Sequence, residues 1–229
     1  DRREALVTAL DTLALDTALG AGGDVVWIDS QGYAATHTLA RVAPSERALD
    51  RVQVARAFTT HQHHTLVSQV GRWFRDEATS PFGGPETDRP AVIVAPALDS
   101  LYRAGEEHDS RSKRLFTRSV ALLQSLARDH DVPVLTTRAV TDAFSEPLVT
   151  AGTSITVEPT QFGPRFESEV LEFETLAYPD ENGTIQTTLA FWREVLRARH
   201  GTATAGASTM SAPTASDAPT AGSPTTGGR

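Results

Sequence analysis

The chain contains no cysteine, so disulfides, thiolate zinc centres and cysteine nucleophiles are excluded from the start, and the sequence carries no mark of the redox state of its compartment. Lysine is almost missing too: Lys113 is the only one among 21 Lys+Arg. No apolar run approaches the roughly 20 residues that span a bilayer, and no basic-then-apolar leader opens the sequence, from which a soluble, cytoplasmic protein with no membrane partner is expected.

What is present is one core's worth of apolar residue and an excess of carboxylate. At 229 residues and 39% hydrophobic, the chain suits a single domain with a tail. Residues 201–229 consist almost wholly of Thr, Ala, Ser, Pro and Gly, which cannot bury enough surface to offset their ordering entropy, so a domain over 1–200 and a disordered tail over 201–229 are expected. The 29 Asp+Glu leave a net charge of -8. Two explanations of an acidic, lysine-poor chain stand side by side. One is adaptation to molar salt, where a Debye length of about 3 Å weakens repulsion among carboxylates, as in a haloarchaeal protein; the other is a GC-rich genome that favours arginine codons. The net charge argues against nonspecific nucleic-acid binding, which needs clustered cations.

Along residues 1–200 the periodicity alternates. "REALVTALDTLALDTAL" has helical spacing and stops at "GAGGD"; "VVWID" is a short β-branched run suited to a strand buried on both faces. "RVQVARAF" reads as a strand, "HHTLVSQVGRWFRDEA" as a helix, "AVIVAP" as a strand, "RLFTRSVALLQSLARDHD" as a long amphipathic helix and "VPVLTT" as a strand. "SITVEP", "EFETLAY" and "TIQTTLAFW" then read as strands, with "PDENG" as a hairpin turn between the last two. Alternation of this kind predicts an α/β fold, a mostly parallel sheet flanked by helices, with a C-terminal antiparallel hairpin at its edge. Trp27 and Trp73 fall at core or near-core positions, and Trp192 ends the last strand.

Three of the seven histidines crowd into "HQHH", His61 to His64. His61 and His64 at i, i+3 share a helix face, as imidazole ligands of a metal do, but no carboxylate or further histidine stands at a matching spacing. The expectation is a solvated helix start and no metal site. No Ser-His-Asp arrangement is readable, since the serines lie in loops without a strand-to-helix "GxSxG" setting.

"VVWIDSQGYAATHTLARVAP", then "RALDRVQVARAFTTHQHHTLV", "AVIVAPALDSLYR" and "VPVLTTRAV" together resemble the RecA-type recombinases of archaea, the RadA and RadB proteins and their paralogues, including haloarchaeal ones. There a "-YIDTEGTF-" segment precedes "-VARAF-", a Walker B strand precedes "-DSLT-L-R-", and a later strand ends "-VTNQV-". The likeness runs from about Asp24 to Val140, with every element in family order, and implies a RecA-like domain.

Phosphoryl transfer on that fold needs four parts, and the resemblance locates each. The phosphate-cradling glycine-rich loop, counted back from "VVWID", falls near residues 1–12, where "DRREALVTALDT" has no glycine and no lysine. The Walker B aspartate aligns with Pro96, the nearest acid being Asp99 three residues on. The catalytic glutamate aligns with Gln31, whose amide cannot act as a base. The glutamine that senses the terminal phosphate aligns with Arg138. These degenerate positions, Gln31, Pro96 and Arg138, imply a pseudo-ATPase with no catalytic residue and no cofactor.

The loops after the core strands, which contact DNA in active relatives, are the remaining surface. "RAGEEHDSRSKRLF" offers Arg103, Arg111, Lys113 and Arg114 as weak DNA contacts diluted by Glu106, Glu107 and Asp109, and a solvated mixed-charge loop is the more ordinary reading. "TDAFSEPLVTAGT" has one aromatic, Phe144, which gives little for base stacking. The resemblance therefore implies a non-catalytic accessory or regulatory protein in DNA recombination or repair, with another protein, a RecA-family recombinase among the candidates, as partner. Two alternatives stand beside it: a divergent ATP-binding RecA/RadA-like ATPase using ATP and magnesium, and a KaiC-like signalling protein.

Overall fold

The computed structural model describes residues 2–75, 79–82, 90–103, 110–161, 163–176, 178–179 and 185–186. Its first element is helix α1 (Arg2–Ala21). Val7, Leu10, Ala14 and Ala18, three or four residues apart, form the buried stripe of this helix with Leu15 beside them. It ends where the glycines begin. Gly22 takes a left-handed φ of 70° and the Gly23 amide reaches back to the Ala18 carbonyl at 3.0 Å, the Schellman closure of a helix. A Cβ on Gly23 would meet the Ala91 Cβ at 2.9 Å, so the turn into the sheet is made at a contact only glycine permits.

Strand β1 (Val25–Asp29) follows, then short helices α2 (Thr36–Val42) and α3 (Glu46–Leu49), strand β2 (Val52–Arg56), helix α4 (Thr60–Phe74), strand β3 (Val92–Ala95), a 3-10 turn (Ser100–Tyr102), helix α5 (Ser110–His130) and strand β4 (Val134–Thr136). The four strands form one parallel sheet in the order β2-β1-β3-β4. All five residues of β1 and all four of β3 are buried, as continuous apolar runs in a helix-covered parallel sheet should be. Alternation sorts them. Val26, Ile28, Ile93 and Ala95 pack against Val67, Val70 and Phe74 of α4 and Phe116, Val120, Leu123 and Leu126 of α5. Val25, Trp27, Val92 and Val94 face the other way, onto Leu10, Ala14, Leu15 and Ala18 of α1 and Leu39 of α2. Each fully buried large apolar side chain contributes about 1.5–3 kcal/mol, so the central pair of strands and the four helices packed on them carry most of the stability.

Beyond β4 come α6 (Glu146–Ala151) and a second, three-stranded antiparallel sheet of β5 (Thr156–Thr160), β6 (Gly163–Ser168) and β7 (Phe173–Leu176). A two-residue ladder joins β8 (Tyr178–Pro179) to β9 (Ile185–Gln186). The antiparallel strands thus form sheets of their own instead of extending the parallel one at its edge. Strand β6, "GPRFES", has no expected counterpart: its glycine and proline mask an alternating run that becomes a strand only by pairing on both sides, with Val157 opposite Phe166 and Phe166 opposite Thr175. The tail expected over 201–229, the strand residues after Gln186 and Trp192 lie outside the described residues. No helix among the described residues is long and apolar enough to cross a membrane.

Candidate functional site

In an open parallel sheet, ligands bind outside the carboxyl ends of the strands where the strand order reverses direction. Here β1 connects to β2 on one side while β3 and β4 lie on the other, so the switch point falls between β1 and β3. The register, Trp27 beside Val94 and Ala95 beside Thr136, brings Gln31, Pro96 and Arg138 to this one edge, each a residue or two past the end of its strand.

Among the described residues, the buried carboxylates at this edge are already engaged. Asp29, fully buried at the end of β1, accepts from the backbone amides of Gln31 and Tyr33 with one oxygen and from Arg56 Nε at 2.9 Å with the other. Asp99, also fully buried, accepts from the Ala139 and Val140 amides and from Arg103 Nε at 2.6 Å. The Ser30 hydroxyl lies across the switch point, within hydrogen-bond reach of the Pro96 carbonyl (3.2 Å), the Ala97 carbonyl (3.4 Å) and the Ser100 hydroxyl (3.2 Å). Pro96 brings no carboxylate to the position and instead offers its carbonyl to this seam. Ala97 follows in the left-handed region, φ 45°, where an alanine is strained, and is held there by Thr137: its amide donates to Thr137 Oγ1 at 2.8 Å and the Leu98 amide to the Thr137 carbonyl at 3.0 Å. Gln31 is exposed, with its carbonyl accepting from Arg3 Nη2 of α1 at 2.9 Å; Arg138 is exposed.

Arg103, expected as a DNA contact, is committed to its own chain. Besides Asp99 it binds Asp142 in fork fashion at 2.8 and 2.7 Å and lies 4.6 Å over the Phe144 ring, so its side chain is only 15% exposed. It joins the segment after β3 to the segment after β4. The Asp142 hydrogen bond raises its already high pKa, and the Asp142 carboxyl is in turn held far below the usual range, first by Arg103. Phe144 is buried and stacked on Phe116 at 5.1 Å, which removes it from any base-stacking role. Arg111, Lys113 and Arg114 are also displaced from the expected setting: they lie in the first turns of α5, not in a loop.

The histidine cluster departs furthest from expectation. Only His61 is a solvated helix-start residue; His63 is fully buried. The cap of α4 is Thr59, whose hydroxyl accepts from the Gln62 amide. His63 Nδ1 lies 2.9 Å from the Tyr102 hydroxyl, which lies 2.8 Å from Ser119 Oγ, which lies 2.9 Å from His64 Nδ1. His63 Nε2 has no partner. The four groups form one continuous hydrogen-bonded chain, whose direction follows the His63 tautomer. Burial, then the charge of His64, lowers the His63 pKa to about 4; burial raises that of Tyr102. This polar chain ties α4 to α5 and to the 3-10 turn. No group of residues suited to a metal ion occurs among the described residues. The "HHT" spacing gave no signal of it, because Tyr102 and Ser119 are distant in sequence. No protein-family model matches the chain.

Proposed function

We propose that the chain is a RecA-like pseudo-ATPase, an accessory or regulatory protein in DNA recombination or repair that acts through contact with another protein, a RecA-family recombinase being the candidate partner. The observation that supports this is the seam at the switch point. On the resemblance, Pro96 stands where magnesium binding needs a carboxylate, its carbonyl is within reach of Ser30, and the buried acids at this edge, Asp29 and Asp99, are each held by two amides and an arginine. Gln31 in place of a glutamate leaves no base for the attacking water.

A second reading, ATP binding without efficient turnover, is favoured by one feature. Arg3 of helix α1 donates to the Gln31 backbone carbonyl at 2.9 Å beside the switch point, which places a guanidinium at this edge. Thermal unfolding with and without millimolar Mg-ATP separates the two. A ligand at 100 times its dissociation constant adds about 2.7 kcal/mol, a rise of several degrees in Tm. The pseudo-ATPase reading expects no rise; a rise assigns nucleotide binding to the chain and overturns it.

A further inference from the structure

The two faces of the parallel sheet are covered unequally. On one, Val26, Ile28, Ile93 and Ala95 meet the rings of Phe74, Tyr102, Phe116 and Phe144, and the polar groups His63, Tyr102, Ser119 and His64 are hydrogen-bonded to one another. On the other, the cover is made largely of alanine, Ala14 and Ala18 of α1 with Ala34 and Ala48, around Leu10, Leu15 and Leu39. Two fully buried polar side chains in this second layer find no protein partner: the Asp11 carboxyl on α1, at both oxygens, and the Trp27 indole on β1, at Nε1. Each weakens the layer, because folding took it from water without replacing the hydrogen bond.

Nothing offsets a charge on Asp11. The charged groups of the elements packed on α1 are His37 and Arg41 of α2, Asp29 of β1 and Glu158 of β5; β3 has none. Arg41 is paired with Glu4 and Asp29 with Arg56, and none of the four acts on Asp11, on which the Thr38 hydroxyl is the one polar influence. On α1 itself, Glu4 and Asp16 are exposed and more than a turn away. The helix also leads into a natural hinge: Gly20, Gly22 and Gly23 follow one another closely, and the first two stand in open space. Its polar ties to the switch-point edge, Arg3 to the Gln31 carbonyl and over the Tyr33 ring at 4.7 Å, lie at the surface, as does the Arg41–Glu4 pair.

We propose that α1 is a latch that lifts from the sheet as a unit, hinged at residues 20–23, when Asp11 ionises. Lifting gives water to Asp11 and Trp27, opens the inner side of β1 and β3, and withdraws Arg3 from Gln31 and Tyr33, so one carboxyl governs how the switch-point edge is covered. Burial raises the Asp11 pKa from 3.8 to about 6. The closed form is therefore most favoured below pH 3.8, and opening becomes easier as pH rises through 6, then levels off. The latch rests on α1 and the sheet alone and stands whether or not the edge binds nucleotide.

The test is native-state hydrogen exchange of the full chain at pH 5 and pH 7.5, with intrinsic rates divided out, read at the amides of Ala14, Leu15 and Ala18 in α1 and of Leu123 and Leu126 in α5. Protection in α1 is expected to fall about tenfold between the two pH values, the change that a pKa moving from about 6 to 3.8 on opening requires. Protection in α5 is not expected to fall: its amides exchange in openings that also release His63, whose lowered pKa of about 4 makes such openings rarer as pH rises. Asp11→Asn abolishes the fall in α1, whereas Asp16→Asn, exposed on the same helix, keeps it. The comparison of the two helices within the wild type needs no variant. Equal protection of α1 and α5 at both pH values overturns the proposal, since α1 then leaves the sheet only when the whole domain unfolds. So does a fall in α1 that persists in Asp11→Asn.

Discussion

Arg103 Nε donates to the fully buried carboxylate of Asp99 at 2.6 Å, and the same guanidinium forks onto Asp142. One side chain therefore pairs with a buried acid beside the seam and fastens two strand-end segments to each other. Removing it leaves the buried Asp99 side chain with two amides alone. Arg103→Ala is expected to destabilise the fold by about 3–5 kcal/mol, measured as a fall in the urea midpoint with the m-value unchanged. Arg103→Lys recovers part of this, since an ammonium meets Asp99 without the fork to Asp142 or the stacking on Phe144.

The pH dependence near His63 has a definite sign. Its pKa falls from 6.5 to about 4 on folding, so the neutral form is the folded one. The stability it contributes is complete above pH 6.5 and is lost as pH falls toward 4, by about 3 kcal/mol. His63→Phe, which keeps a ring against Tyr102, should flatten the acid limb of a stability-pH curve between 6.5 and 4. An unchanged limb would show that His63 is not the group responsible.

Asp11 acts in the opposite direction. It is fully buried in the stripe of α1 that faces α2, and neither carboxylate oxygen has a hydrogen-bond partner of good geometry. Burial raises its pKa from 3.8 to about 6, with the Thr38 hydroxyl opposing the shift. The folded state therefore prefers the protonated acid, and stability falls as pH rises from about 4 through 6. Asp11→Asn is expected to stabilise the protein by roughly 2 kcal/mol at pH 8 and to change little at pH 4, which denaturant titrations at the two pH values compare directly.

Thr137 is a second test of the strand-end edge. Its hydroxyl is the acceptor for the Ala97 amide, at the strained position after Pro96. Thr137→Val preserves the shape and orphans that amide. A loss of about 1–3 kcal/mol is expected, together with faster amide exchange at Ala97 in the native state.

The parallel sheet was legible because its signal is local. "VVWID" and "AVIVA" are short apolar runs between helical periods, and the strands lie where those runs are. The short helices α2, α3 and α6 and strand β6 were not, because a few turns of helix or a glycine- and proline-bearing strand exist only through the packing that surrounds them. At the site, residue types were readable and their commitments were not. Arg103 reads as a surface cation because Asp142 is 39 residues away in sequence. His63 reads as a solvated residue because its partner Tyr102 is also 39 residues away. Arg111, Lys113 and Arg114 read as loop residues, and placing them on a helix required knowing that it begins at Ser110.

The seam across the switch point also says something about the order of assembly. Ser30 and Pro96 are separated by 66 residues and Asp99 and Ala139 by 40, whereas the helices complete themselves within a few residues. Contacts that close such long loops form after the sheet has brought β1, β3 and β4 side by side. Substitutions at Ser30, Asp99 or Thr137 should therefore leave the folding rate nearly unchanged and appear almost entirely as faster unfolding. The edge that resembles an ATP site most in sequence would then be the last part of the chain to fold and the first to let go.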